Sequence, residues 1–214
     1  MYLSKLTVNT TSPDGARALA EPYRIHQLVY AAFPDEKDGG PGRVLFRVEP
    51  LRTSEPSVVL VQSEKEPGWT ELMEQRSLLS ANCKQVLFAV RSTQRLRFRL
   101  RANPTIRRVF GGPSPQGQPK QSGTRVGVYG EGAQRTWLDR KGEGGGFRVL
   151  DCRLADRGLQ VSRRRNGSAP LRHLCVDFEG ILEVTDPDCF LAALETGIGS
   201  AKAFGFGLLS VARA

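Results

Sequence analysis

The sequence predicts an α+β fold of mixed strands and helices, and three observations support this class. Apolar and polar residues alternate over residues 3–8, and again over residues 95–101, as in strands with one buried face. Ser12-Pro13 has the residue types that begin a helix, with serine as the cap and proline at the first helical position. At 214 residues, the chain is long enough for one large domain or two small ones, with a buried core.

The first half is predicted to contain strands and helices in the order β-α-β-β-α-β. Pro22 restarts the helical pattern, which predicts a separate helix over residues 22–32. The remaining segments, in chain order, are strands over 3–8, 43–48 and 57–62, a helix over 69–79, and a closing strand over 95–101. This order is that of a ferredoxin-like domain, which we expect over residues 1–102.

The second half is predicted to be a less regular α+β unit that follows a linker. Residues 103–129 are rich in proline, glycine, glutamine and serine and have few core residues. From residue 130 onwards, we expect helices over 134–140 and 186–195, and strands over 146–150, 158–163, 171–184 and 208–211. The predicted domains are therefore 1–102 and 130–214, joined by residues 103–129.

The charge of the chain predicts an anionic partner. Lysine and arginine total 31 against 22 acidic residues, a net charge of +9, and most of the basic residues are arginine. From Arg91 to Gly130 no acidic residue interrupts the basic ones, which favours nucleic acid over a membrane surface as the partner. The alternative is an ordinary solvated surface.

Cysteine and histidine are too few and too dispersed to predict a metal site. The four cysteines form no CxxC pair and the sequence has only two histidines, so we expect neither zinc nor another cofactor. The sequence shows no signal peptide and no apolar run of membrane-spanning length. We therefore expect a cytoplasmic protein with reduced thiols and no membrane contact.

Two arginine-rich segments are candidates for binding phosphate. Alternation over residues 95–101 puts four arginines on one face of a strand, spaced like phosphates along a nucleic-acid strand. Three arginines precede Asn166-Gly167, a preferred two-residue hairpin turn, and would form a basic tip. The candidates are Arg97, Arg99 and Arg101 in the strand, and Arg163, Arg164 and Arg165 before the turn. For the strand, the alternative is a solvent-facing sheet surface. For the hairpin, the alternative is an exposed edge that its charge protects from aggregation.

Tyr23 and His26 are the candidate catalytic pair. Three residues apart at the start of a predicted helix, they share one face, while Ile25 and Leu28 can pack inward. Cleavage of RNA by its own 2′-hydroxyl needs a base, an acid and positive charge on the phosphate, but no metal. An imidazole and a phenol are able to exchange those protons. The alternative is that His26 is a structural histidine. We interpret the other histidine, His173, as structural because it lies in the apolar run 171–176.

A glycine-rich loop, residues 197–207, precedes the last predicted strand. Glycines at alternating positions allow positive φ and a close approach to a ligand, and free amides there could hold phosphate. Lys202 stands among Gly199, Gly205 and Gly207. The loop is not a Walker loop, because Ala203 follows the lysine, and it lacks the third glycine of a dinucleotide fingerprint. The alternative is a tight turn before a terminal strand.

Together these segments resemble the CRISPR-repeat endoribonucleases of type I-E systems, the CasE/Cse-three-type subunits of Cascade. The resemblance covers nearly the whole chain. It rests on four landmarks in the right order and spacing: MYLSKL at 1–6, PYRIH at 22–26, RLRFRLRANP at 95–104 and AKAFGFGLL at 201–209.

The resemblance implies two ferredoxin-like domains in tandem that end in a glycine-rich loop. It also implies metal-independent cleavage of CRISPR precursor RNA at the base of the repeat hairpin, which leaves a 2′,3′-cyclic phosphate and a 5′-hydroxyl. The enzyme would keep its product, the crRNA, and join the other Cascade subunits, whereas the isolated protein is expected to be a monomer. His26 matches the catalytic histidine of the family, and Tyr23 matches its partner tyrosine.

The resemblance also suggests which residues contact RNA. Gln27 stands where some relatives carry a basic residue, so the charge on the scissile phosphate is expected from elsewhere, Arg24 being one candidate. The predicted RNA-binding residues are Arg24, Gln27, Arg97, Arg99, Arg101, Arg163, Arg164, Arg165, Gly199, Lys202, Gly205 and Gly207. The main alternative is a non-catalytic subunit that binds an RNA hairpin, and a third is a general nucleic-acid-binding protein.

Overall fold

The computed structural model describes residues 1–35, 37, 39–49, 56–108, 123–162 and 170–214, which contain two four-stranded antiparallel sheets and one two-stranded sheet. The first unit comprises β1 (Tyr2–Val8), α1 (Pro13–Ala20), α2 (Pro22–Tyr30), β2 (Val44–Val48), β3 (Val58–Ser63), α3 (Thr70–Glu74) and β4 (Leu78–Gln85). The second comprises β5 (Arg95–Ala102), β6 (Thr105–Arg108), β7 (Thr124–Gly127), α4 (Glu131–Gly144), β8 (Phe147–Ser162), β9 (Leu171–Val184), α5 (Pro187–Thr196) and β10 (Leu209–Arg213).

When the four strands of each large sheet are numbered in chain order, both sheets have the strand order 2-3-1-4. The first sheet runs β2-β3-β1-β4, and the second, read from its β8 edge, runs β8-β9-β5-β10. In both units the large-sheet strands and their crossover helices follow one another as β-α-β-β-α-β, with α1 and α2 together forming one crossover. This is the ferredoxin-like arrangement, so the α+β class and the tandem of two such units are confirmed.

The helix starts follow the predicted caps. The Ser12 hydroxyl accepts a hydrogen bond from the backbone N–H of Gly15 at 3.0 Å, and Pro13 stands in the first turn of α1. The Asp186 carboxylate caps α5 in the same way, accepting from the N–H groups of Asp188 and Cys189 at 3.0 Å. Each cap satisfies amides that have no partner inside the helix, and so fixes where the helix begins.

Each sheet buries one face against its helices. The first core joins Leu6 and Phe46 of the sheet to Ile25 and Val29 of α2. The second core joins the apolar face of β5 to α4 and α5, and its largest fully buried side chains include Phe98, Phe147, Phe178 and Phe190. Because α2 packs through its apolar face, its opposite face is left to point out of the first core.

The predicted position of the arginine-rich strand in the first domain is wrong. β5 pairs with β9 and β10, so it is the first strand of the second sheet, and the change of sheet lies between Gln85 and Arg95 rather than after residue 102. The fourth strand of the first sheet is β4, where a helix was predicted as far as residue 79. β4 was missed because it is an edge strand with a mostly exposed, polar sequence and almost no alternation.

The prediction of a loop or linker over residues 103–129 is also wrong at both ends of that segment, where short strands lie. β6 and β7 pair as an antiparallel two-stranded sheet, with Thr105 opposite Gly127. Residues 109–122 lie outside the described part of the chain. Glycine and proline content marks a break between regular elements, but it does not exclude short strands on either side of that break.

Buried polar groups join the two units. Arg47 of β2, only 4% exposed, forms an ion pair with Glu49 at 2.7 Å and donates hydrogen bonds at 3.2 Å to the carbonyls of Arg99 and Leu208. The Gln62 side chain donates to the carbonyl of Leu194 at 2.7 Å. A buried guanidinium is costly unless all its donors are used, so these contacts hold one sheet in a defined position against the other.

Candidate active site

Helix α2 carries three half-buried ring side chains, of which Tyr30 also packs against the first core. Ile25, Leu28 and Val29 are buried in that core, whereas Tyr23, His26 and Tyr30 are half-buried. The ring centroids of Tyr23 and His26 lie 6.2 Å apart, and those of His26 and Tyr30 lie 4.1 Å apart. Tyr23 and His26 therefore share a face, as their spacing predicts, and Tyr30 extends the cluster by one helical turn.

The glycine-rich loop comes from the second unit and packs against the first. Its central residues form a 3₁₀ turn, Lys202–Phe204, which contacts both α2 and β2. Gly205 has φ +85°, and a Cβ atom there would lie 3.2 Å from the Phe46 ring of β2. A side chain at Gly197 would meet the Leu45 methyl groups at 2.8 Å. These glycines therefore let the loop backbone lie directly on the first unit.

Two of the glycine amides that the sequence suggested for phosphate already have partners within the chain. The N–H of Gly207 donates to the Arg101 carbonyl at 2.7 Å, and that of Gly205 faces the Lys202 carbonyl at 3.4 Å. Gly205 and Gly207 are both buried, and Gly199 lies against the indole of Trp137. Their direct contact with RNA stays a prediction, while their structural role is close packing.

Phe204 brings the loop onto His26. The ring centroids of Phe204 and His26 lie 6.5 Å apart, and those of Phe204 and His173 lie 4.8 Å apart. Burial lowers the pKa of His26, against which a backbone hydrogen bond to Ala203 acts. Nδ1 of His26 is buried and has no hydrogen-bond partner among the described residues. The imidazole is thus neutral near pH 7 and able to exchange a proton with a ligand.

Arg43 lies within electrostatic range of Tyr30 in this ring cluster, and Lys202 lies within range of Arg43. Lys202 donates from Nζ to the Thr196 carbonyl at 2.6 Å, and its pKa is lowered by burial and further by the charges of Arg43 and Lys141. Burial raises the pKa of Tyr30, and the charge of the exposed Arg43 opposes that shift. Arg43, the residue before β2, thus acts electrostatically on both Tyr30 and Lys202.

Arg24 and Gln27, the two predicted RNA-binding residues close to His26 in the sequence, have different surroundings. Arg24 forms an ion pair with Glu21 at 3.3 Å, so its charge is already partly neutralised. Gln27 is exposed and points away from the first core. RNA contact by either residue stays a prediction.

The arginines of β5 have partners inside the protein. Arg99 pairs with Glu49 at 3.1 Å and with Glu179 at 3.3 Å, and Arg97 donates to the Arg213 carbonyl at 3.1 Å. Arg101 pairs with Asp177 at 2.7 Å and donates to the Val48 carbonyl of the first unit at 2.9 Å. The alternation placed these residues on one face correctly, but there they join sheets and units together. Their contact with RNA stays a prediction.

One predicted segment lies outside the described residues, and three residues near the site were not predicted. The arginine hairpin, Arg163, Arg164 and Arg165, lies outside the described residues. Tyr30, Arg43 and Phe204 were not singled out, although the i, i+4 spacing of His26 and Tyr30 would have indicated a shared face. Arg43 and Phe204 reach the site only through tertiary packing, which leaves no local signal in the sequence.

Within the described ranges, no group of three or more histidine, cysteine, aspartate or glutamate side chains could hold a metal ion. Those ranges also contain no helix with the length and apolar character needed to cross a membrane.

Comparison with known proteins gives relatives along the whole chain. The model of a family described as CRISPR associated protein matches residues 1–213. The CRISPR-associated endoribonuclease Cse3 of Thermus thermophilus is 40% identical over 222 residues, covering 99% of this chain and 100% of the relative. The Cascade subunit CasE of Escherichia coli K12 is 33% identical over 216 residues, covering 99% of each chain.

Solved structures show the same architecture. Thermus thermophilus Cse3, bound to an RNA representing a pre-cleavage complex, superposes with a TM-score of 0.82 at 37% identity, over 99% of this chain and 98% of that one. Cas6e of Escherichia coli K-12 superposes with a TM-score of 0.70 at 32% identity, over all of both chains.

Proposed function

Because the chain belongs to this family of CRISPR-associated proteins, we propose that it is an endoribonuclease that needs no metal and cleaves CRISPR precursor RNA at the base of the repeat hairpin. The observation that carries the proposal is the position of His26. Its imidazole is half-buried, keeps one buried nitrogen without a partner among the described residues, and lies between two tyrosines and the glycine-rich loop.

The proposed reaction is attack of the RNA 2′-oxygen on the adjacent phosphorus. The bond from the 2′-oxygen to phosphorus forms and the bond from phosphorus to the 5′-oxygen breaks, leaving a 2′,3′-cyclic phosphate and a 5′-hydroxyl. One proton leaves the 2′-hydroxyl and one is given to the 5′-oxygen. His26 and Tyr23 carry these two protons, and the neutral imidazole is able to serve as the base.

Charge on the phosphate is proposed to come from Lys202 and Arg43. Two nonbridging oxygens become more negative as the fifth bond to phosphorus forms, so cations held near them lower the barrier. Lys202 has a fixed backbone partner, and Arg43 is exposed near both Lys202 and Tyr30. This arrangement supplies the charge that a basic residue at Gln27 would otherwise provide.

We further propose that the protein keeps the crRNA and assembles with other Cascade subunits. A relative at 33% identity is named as a Cascade subunit, and this chain covers 99% of its length. A cytoplasmic location, where such RNA is made, and a monomeric state of the isolated protein belong to the same proposal.

The variant His26→Ala tests the catalytic assignment. We expect single-turnover cleavage of a repeat hairpin to fall about 10³-fold, since a proton-transfer group is lost. The Kd for the hairpin should change by no more than about 3-fold, because the imidazole carries no charge that RNA would bind. Arg17→Ala, an exposed change in α1, is the matched control. Unchanged cleavage by His26→Ala would leave the protein without its proposed catalytic residue and favour a non-catalytic RNA-binding subunit.

A further inference from the structure

The ring of Phe204 lies near both histidines of the sequence, one from each structural unit. His26 comes from α2 of the first unit, with its ring centroid 6.5 Å from that of Phe204 and an interplanar angle of 32°. His173 comes from β9 of the second unit, at 4.8 Å and 33°. Phe206 packs edge-on against His173 at 5.8 Å. The glycine-rich loop thus carries an aromatic bridge from the second unit to His26.

The position of His173 is set by a buried amide. Asn103, 6% exposed, accepts a hydrogen bond from the backbone N–H of Leu174 at 3.0 Å, which orients its side chain. Its Nδ2 lies 3.5 Å from Nδ1 of His173 and 3.3 Å from the Ser200 hydroxyl. Because an amide nitrogen only donates, a hydrogen bond between these two atoms requires Nδ1 of His173 to be unprotonated, with the proton on Nε2.

The other ring nitrogen of His173, Nε2, is buried and has no hydrogen-bond partner among the described residues. A buried polar atom left in this state needs an explanation other than hydrogen bonding. Here the ring packs against Phe204 at 4.8 Å with an interplanar angle of 33°, and its neutral form costs less to bury than a charged one.

We propose that His173 is a positioning residue whose neutral ring holds Phe204 against His26, keeping the His26 imidazole in place and shielded from water during RNA cleavage. This inference rests on the proposed function, because it assumes that His26 takes part in the reaction. His173 itself touches no reacting atom in this arrangement and acts through Phe204.

Burial makes the neutral form of His26 sensitive to this packing. Its ring faces the phenols of Tyr23 and Tyr30 from its own helix and the Ala203 backbone and Phe204 from the loop, and the charge of Arg43 acts on the neighbouring Tyr30. Burial lowers the pKa of His173 as well as that of His26. Loss of the Phe204 contact admits water to His26 and so raises its pKa towards the ordinary value.

A rescue experiment on His173 separates positioning from chemistry. In His173→Ala, we expect single-turnover cleavage at saturating protein to fall about 10-fold, because a small displacement of a reacting group is costly. In His173→Phe, which keeps a flat ring, the rate should return to within about 2-fold of the wild type. Cleavage by His173→Ala at the wild-type rate would overturn the inference. So would His173→Phe as slow as His173→Ala, since the imidazole itself would then be needed.

A second readout needs no RNA. The sequence contains two histidines, so an NMR titration of the imidazole signals gives two curves, and His173→Gln assigns them. In His173→Ala, we expect the His26 curve to move from below pH 6.5 towards about 6.5, the value of a solvated histidine. Arg172→Ala, a neighbouring exposed change on the other face of β9, is the control and should leave the curve in place.

The two readouts distinguish failure of this inference from failure of the proposed function. An unchanged His26 titration curve in His173→Ala overturns the positioning role of His173 but leaves the proposed function of the protein in place. Full activity of His26→Ala overturns the catalytic assignment, whatever the titration shows. The thermal midpoint of His173→Phe checks that the variant is folded before its rate is compared.

Discussion

At the scale of single residues, two arginines considered for the proposed site, Arg24 and Arg43, have different surroundings. Arg24 is three residues from Glu21 on the same helix and pairs with it at 3.3 Å. Arg43 is exposed at the start of β2 and acts on the ionisation of both Tyr30 and Lys202. A cation is useful to a phosphate when no carboxylate already neutralises it.

Arg43→Gln should therefore affect cleavage more than Arg24→Gln. We expect Arg43→Gln to lower the single-turnover rate roughly 10-fold, because the transition state loses a nearby positive charge. Arg24→Gln should change the rate by about 2-fold or less, since partly neutralised surface charges contribute little. The measurement is the cleavage rate of a repeat hairpin at saturating protein. A larger loss for Arg24→Gln would return Arg24 to the role first considered for it.

At the scale of elements, the glycine-rich loop illustrates what local sequence can and cannot predict. Its position before a terminal strand and its positive φ angles follow from the glycine pattern. Its function as a packing surface does not, because Phe46 and Leu45, which the glycines approach, belong to a strand about 150 residues earlier in the chain. Likewise, alternation identified β5 as a strand, but its partners β9 and β10 are determined by long-range pairing.

Gly205→Ala tests the packing role of the loop. At φ +85°, an L side chain is strained by about 1 kcal/mol, and the new Cβ lies 3.2 Å from the Phe46 ring. We expect a loss of roughly 1–2 kcal/mol in the free energy of unfolding, measured by urea denaturation. Gly132→Ala in α4, where a Cβ atom would meet nothing within 4 Å, should instead be neutral or slightly stabilising. Equal stability of the two variants would mean that the loop is not tightly packed.

At the scale of the whole molecule, the proposed active site depends on how the two units are held together. His26 lies in the first unit and Phe204 in the second, and Arg47 bridges between the sheets through the carbonyls of Arg99 and Leu208. The sequence predicted two ferredoxin-like units and the Tyr23–His26 face. It could not predict this junction, because a lone arginine in an apolar strand gives no indication of a partner 52 or 161 residues away.

Arg47→Met tests the junction. Removal of the guanidinium breaks the 2.7 Å pair with Glu49, which among the described residues keeps only its pair with Arg99, and leaves the carbonyls of Arg99 and Leu208 without their 3.2 Å contacts. We therefore expect a loss of about 3 kcal/mol in the free energy of unfolding. Arg95→Met is the control, because Arg95 is 67% exposed and pairs with Glu183 at 3.7 Å, and such pairs contribute at most about 1 kcal/mol. A similar effect of the two changes would contradict a structural role for the buried arginine.

The central claim is that the protein cleaves RNA through the 2′-hydroxyl of its own substrate. The most direct measurement incubates the purified protein, in excess EDTA, with a labelled repeat hairpin and with a matched RNA carrying 2′-deoxyribose at the cleavage position. We predict cleavage of the first RNA only, with a 5′-hydroxyl on the downstream product. Cleavage of both RNAs, or tight binding of both without cleavage, would contradict the claim.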